Sequence, residues 1–335
     1  MNTTSYSPGA TGGNREWLDG PLTILEPEAT PFVSSLKKEG GAKNTYCEQV
    51  ADTLDGVKVS GTREGDSGVK GGNKASKRAR FGAYLGRYFR SFGVTDIQQA
   101  LSENGALEGI VSNEYAAAKA KAVRELKRDM EASALSSLDT QGGSDDAMRM
   151  RGAFSWLAAT QTPAVPASFL TPSAQRLTSI STLVESGSNS LTSVLQSCFN
   201  TCGGRKEYDG FIGTTFAGNV DGFTRVGPEL NTNGTRVVYD GEKAKTIRLN
   251  VEVFDSTFGM INFIPSTFLR IATDGGTGDP TALLLVQREY WGLKFLETLH
   301  AKDDEEDAGG MSGYVKAVGG LFCSMPKANA FVYNT

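Results

Sequence analysis

A chain of 335 residues with 34 Lys and Arg against 38 Asp and Glu carries a formal charge of -4, which argues against a dedicated nucleic-acid binder, whose charge would be globally basic. Its 40 glycines exceed the usual globular share and suit a chain full of tight turns and extended loops. There is no run long and apolar enough to span a bilayer, and MNTTSYSPGATGG has no apolar core for a signal peptide, so the expectation is a soluble product that touches no membrane.

Residues 1–20 are polar and too poor in apolar side chains to fold alone. Pro21, Pro27 and Pro31 then exclude a long helix, and ILEPEATPFVSSL sets isolated anchors along an extended path, Phe32 among them. Such a segment suits a chain that lies across a neighbour, so residues 1–42 are read as an arm. Residues 43–97 alternate loosely around a Gly-rich stretch at 61–72, which predicts one long two-stranded hairpin. Between Arg63 and Arg90 eight Lys or Arg face two acids, Glu64 and Asp66. An isolated hairpin is barely stable in water, so another subunit is expected to order it. Arg63, Lys70, Lys74, Lys77, Arg78 and Arg80 are the candidate intersubunit contacts. Asp303, Asp304 and Glu305 form a candidate acidic counterpart, and Phe32 is a candidate apolar one.

From Ala106 to Leu138 the pattern predicts one helix of about 33 residues, roughly 50 Å at 1.5 Å per residue. Ile110, Val111, Tyr115, Ala118, Ala122, Leu126, Met130 and Ala134 form a single narrow stripe, and most of the remaining surface is charged. A helix of this kind is a strut across a sheet or a neighbouring subunit. After Gly142 and Gly143 an irregular stretch reaches Pro172. Helices are then expected at 173–185 and 190–202, the second closed by Gly203-Gly204. DGFIGTTF reads as a buried strand. TIRLNVEVF alternates, with Ile247, Leu249, Val251 and Val253 on one side, and turns at Asp255-Ser256-Thr257 into the strand FGMINFI. WGLKFLETL, GYVKAVGGLFC and ANAFVYN are late strands returning beside the earlier helix, which makes an α+β chain with one lobe threaded into another.

In this order the phrases ILEPEATPFVSSL (24–36), ELKRDMEASALSS (125–137), RGAFSWL (151–157) and LTSVLQSCFNTCGG (191–204) resemble the major capsid proteins of tailed bacteriophages, in the branch of the short-tailed phage SU-ten. The resemblance implies the Hong Kong 97-like fold. Residues 1–42 would be the N-terminal arm, 43–97 the extended loop, 98–172 a peripheral domain with its spine helix, 173–280 mainly the axial domain, and 281–335 a return to the peripheral domain. It also implies hexameric and pentameric capsomers of one chain in an icosahedral shell that encloses double-stranded DNA without reading its sequence. A portal protein and a decoration protein are the implied partners, with assembly in the bacterial host cytoplasm. Only about 20 residues precede Pro21 and they carry no coiled-coil heptads, so a separate scaffolding protein is expected. An encapsulin-like compartment shell shares the fold and is the alternative; a hydrolase with an unmarked carboxylate pair is the alternative from another class.

Chemistry leaves little trace. No phosphate loop, dinucleotide fingerprint, nucleophile elbow or HExxH occurs. The lone His300 has no local partner signature and is read as structural. Cys47, Cys198, Cys202 and Cys323 are scattered apart from one i, i+4 pair, which favours buried free thiols over a metal or redox site. The run Asp303–Asp307 lacks the spaced oxygens and glycine of a calcium loop. No catalytic residue, cofactor or metal is expected.

Overall fold

A computed structural model of the chain describes residues 30–54, 59, 78–103, 113–143, 147–223, 252–271, 278–304 and 310–334. A short helix α1 (Pro31–Ser35) leads into β1 (Lys37–Gly40), followed by β2 (Tyr46–Ala51), β3 (Ala79–Tyr84), β4 (Gly86–Thr95), α2 (Asp96–Glu103) and α3 (Glu114–Ala134). Then come α4 (Ala153–Leu157), β5 (Arg176–Leu177), α5 (Leu191–Cys202), β6 (Lys206–Ile212) and α6 (Thr214–Phe223). The chain ends through β7 (Val253–Ser256), β8 (Gly259–Pro265), β9 (Ala282–Val286), β10 (Trp291–Asp303), β11 (Gly310–Cys323) and β12 (Ala330–Tyr333). Three sheets result: β1-β10-β11-β4, β5-β12-β9-β6-β8-β7, and the pair β2-β3.

The strut expected from Ala106 is shorter. Asn113 sits in extended backbone and its side chain accepts the Ala116 N–H at 2.9 Å, so the helix starts there. It stops at Leu135 because the chain swings aside to bridge Ser136 with Arg270. Before it α2 is a separate helix, and Ile110 and Val111 lie outside the described residues. The rest of the stripe holds: Ala122, Leu126, Met130 and Ala134 are buried, and Tyr115 and Ala118 are half-buried. RGAFSWL forms α4, every residue of it buried, with the Trp156 indole donating to the Leu321 carbonyl at 3.1 Å. A Cβ at Gly152 would stand 2.1 Å from the Ser136 carbonyl oxygen, so glycine alone lets α4 start against the end of α3.

The hairpin differs too. β3 pairs with β2, but after Leu85 the chain leaves it, and β4 runs antiparallel to β11 from Gly86 opposite Gly319 to Thr95 opposite Gly310. The alternation of Tyr88, Phe92 and Val94 therefore belongs to a sheet packed under α3 and not to a hairpin limb.

In the six-stranded sheet, β9 is buried on both faces. Leu284 and Val286 join Phe211 in the larger core, while Leu283 and Leu285 join Ile212, Val332 and the inner face of α5 in the smaller one. The expected helix at 190–202 is α5, capped by Ser190 and closed by Gly203 at φ 71°. The helix expected at 173–185 is instead a single 3-10 turn, the short β5 and bends, since Pro172 starts a turn that β12 captures as a strand. β8 matches the expected strand FGMINFI, but DGFIGTTF is strand only to Ile212, where β6 ends and Thr214–Phe216 open α6, and β7 runs on through Asp255 and Ser256, where a turn was expected. Val253 is 47% exposed on that edge strand, and Ile247, Leu249 and Val251 lie outside the described residues. Residues 281–335 serve both large sheets. Where the chain crosses between them, buried Asn329 accepts from the Gln287 N–H at 2.8 Å and the Trp291 indole at 2.9 Å, and donates to the Met325 carbonyl at 2.9 Å.

Candidate assembly surfaces

Three places carry unusual chemistry. The first is internal. Glu131 on α3 is fully buried, and its two carboxylate oxygens accept the backbone N–H groups of Phe32 at 2.8 Å and Val33 at 2.7 Å. Pro31 has no N–H, so the carboxylate takes the first two donors that the short helix α1 leaves open. Burial pushes the Glu131 carboxyl above its ordinary range, and the two N–H donors oppose that shift. Phe32 packs edge-on against Phe211 at 5.1 Å and Trp291 at 6.2 Å with no exposed surface. Its side chain thus anchors the arm segment to its own subunit and has nothing left to offer another, which corrects the intersubunit role assigned to it from the sequence.

The second place is the two-stranded sheet β2-β3. Its outer face alternates Glu48, Val50 and Asp52 across from Arg80 and Arg78. Val50 is 61% exposed, and Leu54 and Val59 are each 96% exposed. Arg78 pairs with Asp52 at 3.3 Å, and Arg80 is exposed. Arg63, Lys70, Lys74, Lys77 and Glu305 lie outside the described residues.

The third is the four-stranded sheet, whose two faces are unlike. On one, α3 lies down: Tyr115 packs on Phe92 at 5.4 Å, Asp129 grips Arg90 at 2.7 and 2.9 Å, and Asp303 takes Lys119 at 2.8 Å and the Tyr115 hydroxyl at 2.8 Å. These two donors, Lys119 first, hold the Asp303 carboxyl below its ordinary value. Asp303 and Arg78 are therefore each paired elsewhere within the chain, with Lys119 and Asp52. Asp304 is exposed, its N–H closing the β10-β11 end on Ser312 at 2.9 Å.

The opposite face carries the rows Glu297–Val318–Arg87, His300–Lys316–Phe89 and Lys302–Tyr314–Ser91. Phe89 is 48% exposed and stacks on Tyr314 at 5.2 Å, with Arg87 over its ring at 5.6 Å. Lys316 holds Glu297 at 2.7 Å and is the main cause of that carboxyl's lowered pKa. Sequence reasoning missed this face and missed Glu131. A clue to the face was the RYFRSF alternation, but which residues of three strands meet in one row depends on register.

His300 is exposed, with Nδ1 at 2.9 Å from the Thr298 carbonyl beside it. Burial pushes the Cys198 thiol up to about 12 and raises Cys202 and Cys323 as well, which keeps all three protonated and poorly nucleophilic. Among the described residues no group of three or more His, Cys, Asp and Glu is placed to hold a metal, and no helix is long and apolar enough to cross a membrane.

The family model of the SU10 major capsid protein matches residues 2–335. The chain belongs to that family. It is a major capsid protein of tailed phages, a structural component of the virion capsid, as the resemblance in the sequence implied. Solved capsids share its fold at low identity. The capsid asymmetric unit of cyanophage A-1(L) matches at TM-score 0.60 and 11% identity over 97% of this chain and 96% of that one. The capsid of the native GTA particle matches at TM-score 0.56 and 12% identity over 99% of both chains. Cyanophage P-SCSP1u gives TM-score 0.56 and 11% identity over 96% and 93%. No curated protein matches this capsid protein in sequence. The α+β, Hong Kong 97-like fold is thus shared with these capsids.

Proposed function

We propose that this capsid protein self-assembles as hexamers and pentamers into an icosahedral shell around double-stranded DNA, in the cytoplasm of a bacterial host. The observation that carries the reading is the exposure of Val50 on β2 and of Leu54 and Val59 beyond its end. Exposed apolar clusters of this kind mark association sites. On this reading β2-β3 is the base of the extended loop that clasps a neighbour, helped by Arg63, Lys70, Lys74, Lys77, Arg78 and Arg80. The four-stranded sheet with α3 is the peripheral domain, and the six-stranded sheet is the axial one. A portal protein, a separate scaffolding protein and a decoration protein are its partners in building the particle. The subunit works without catalysis, cofactor or metal.

Electron microscopy and sedimentation of the purified chain test this. Capsomers or megadalton particles that survive a chelator are expected. A stable, monodisperse monomer at micromolar concentration would sink the proposal, and particles that collapse on chelation would overturn its metal-free part.

A further inference from the structure

We propose that β4 pairs with β4 of a second copy, antiparallel and about a two-fold axis at Ser91, so that two four-stranded sheets become one continuous sheet; this rests on the self-assembly reading above. β4 ends its sheet on one side, with β11 as its neighbour and no strand beyond it among the described residues. The Arg87 N–H points away from β11, to the Met148 carbonyl at 3.2 Å. In an antiparallel ladder that direction recurs at every second residue, so Phe89, Ser91 and Gly93 turn their backbone N–H and C=O groups outward as well. No hydrogen-bond partner meets them among the described residues. A row of unpaired backbone groups with this spacing asks for another extended strand. There is room for one beside Arg87–Arg90, where the edge borders an open groove of about 480 Å³ that Arg270 and the α3 residues Asp129, Ala132 and Ser133 also line.

Two residues on the open face of β4 identify the strand that fits. Phe89 is half-exposed, and Gly93, two positions beyond Ser91 on the same face, is exposed. Gly93 has no internal reason to be glycine: its φ is not in the left-handed region, and an added Cβ would meet nothing nearer than the Met311 carbonyl oxygen at 3.5 Å, an ordinary contact. A glycine inside a strand weakens it and marks a place where another group comes close. An antiparallel pair centred on Ser91 sets Phe89 of each copy opposite Gly93 of the other, and an aromatic ring laid over a cross-strand glycine covers the backbone left bare there. The ring and the glycine thus complement each other twice through one axis, which is the self-matching that a two-fold contact requires. Sliding by one hydrogen-bonded pair either way sets Phe89 against Ser91 or Thr95 and loses both matches. In the centred register Arg87 falls opposite Thr95, next to exposed Asp96, so the two Arg87 side chains stay at opposite ends, while Arg90 is held on the α3 side by Asp129. A contact that closes after two subunits cannot build a ring of five or six, so this one joins one capsomer to the next.

Cross-linking in the full-length chain tests the pairing. Directly opposed residues of a hydrogen-bonded antiparallel pair have Cα atoms about 5.5 Å apart, within disulfide reach, so Ser91→Cys should give covalent dimers when assembled protein meets a mild oxidant. The unmodified chain, with its own four cysteines, and the variant Lys302→Cys in the same row of the sheet should give at most about a tenth as much. Gly93→Val, whose Cβ finds room in its own subunit, should leave thermal unfolding unchanged or raised, yet its capsomers should close into particles about tenfold less well. Ser91→Cys is a near-isosteric change at an exposed side chain and decides alone if Gly93→Val unfolds the subunit. The pairing is overturned if Ser91→Cys gives no more dimer than Lys302→Cys; should particle formation still fall in Gly93→Val, the edge belongs to a strand of another protein. It is also overturned if Gly93→Val closes particles like the unmodified chain. An unmodified chain that stays monomeric would overturn the self-assembly reading along with this contact, whereas particles indifferent to both changes remove this contact only.

Discussion

The two large sheets treat their second faces differently. The six-stranded sheet has a core on each side of β9, with Leu284 and Val286 turned to one and Leu283 and Leu285 to the other. The four-stranded sheet has α3 on one face and, among the described residues, leaves Arg87, Phe89, His300 and Lys302 open on the other. Burial on both faces makes a strand's stability a property of the subunit alone. A face left open, with an aromatic pair among cations, makes part of the sheet's energetics depend on what arrives later. One sheet is finished at folding, and the other keeps a face open after it.

The comparison breaks first at β9. Leu284→Ala and Leu285→Ala should each destabilise the subunit by about 2–5 kcal/mol in chemical denaturation, because each opens a cavity in a fully buried layer. Effects on assembly should follow only from loss of folded protein. Next comes Glu131→Ala, which strands the N–H groups of Phe32 and Val33 and should cost about 2–4 kcal/mol. The same site has a pH signature. Since the folded carboxyl is raised, its contribution is full below the ordinary glutamate range and is lost as pH rises through the raised value. Glu131→Gln cannot titrate, so its unfolding free energy should be flatter than the parent's between that range and neutrality. An equal slope in both chains would remove Glu131 as the cause.

Phe89→Ser sharpens the contrast from the other side. It should cost the subunit about 1 kcal/mol or less, mainly the stack on Tyr314, yet lower the fraction in particles measurably. A fall in both by the same proportion would mean that the open face is only a frayed part of the fold. The smallest expected change in stability is for Arg78→Ser with Arg80→Ser, since exposed pairs contribute little. If these charges meet a neighbour, the variant should assemble in low salt as the parent does in high salt.

Much of this architecture is legible in the sequence where local physics decides it. Ser190 and Gly203 announce both ends of α5, and the Leu126, Met130, Ala134 spacing announces the face of α3 that packs. Expectation failed where a distant partner decides. Nothing near Pro172 reveals that β12 will hold residues 176–177 as a strand, and nothing near Tyr88 reveals that β11 takes β4 away from the hairpin. Glu131 reads as one more charge on a polar helix because the two N–H groups that it serves are 99 and 98 residues away in the sequence. The acidic run Asp303–Asp307 was recognisable in the sequence, and the cluster of Arg87, Arg90 and Arg270 was not, because Arg270 joins the other two only through the fold.

Asn329 has a consequence for shape. One buried amide holds the end of β9, the start of β10 and the turn before β12, which are the crossings between the two sheets. A joint riveted at its crossings cannot act as a hinge without stranding donors in the core. A subunit that has to fit both the flat and the sharply curved parts of a closed surface must then absorb the difference away from that joint, while its two sheets travel as a single tile.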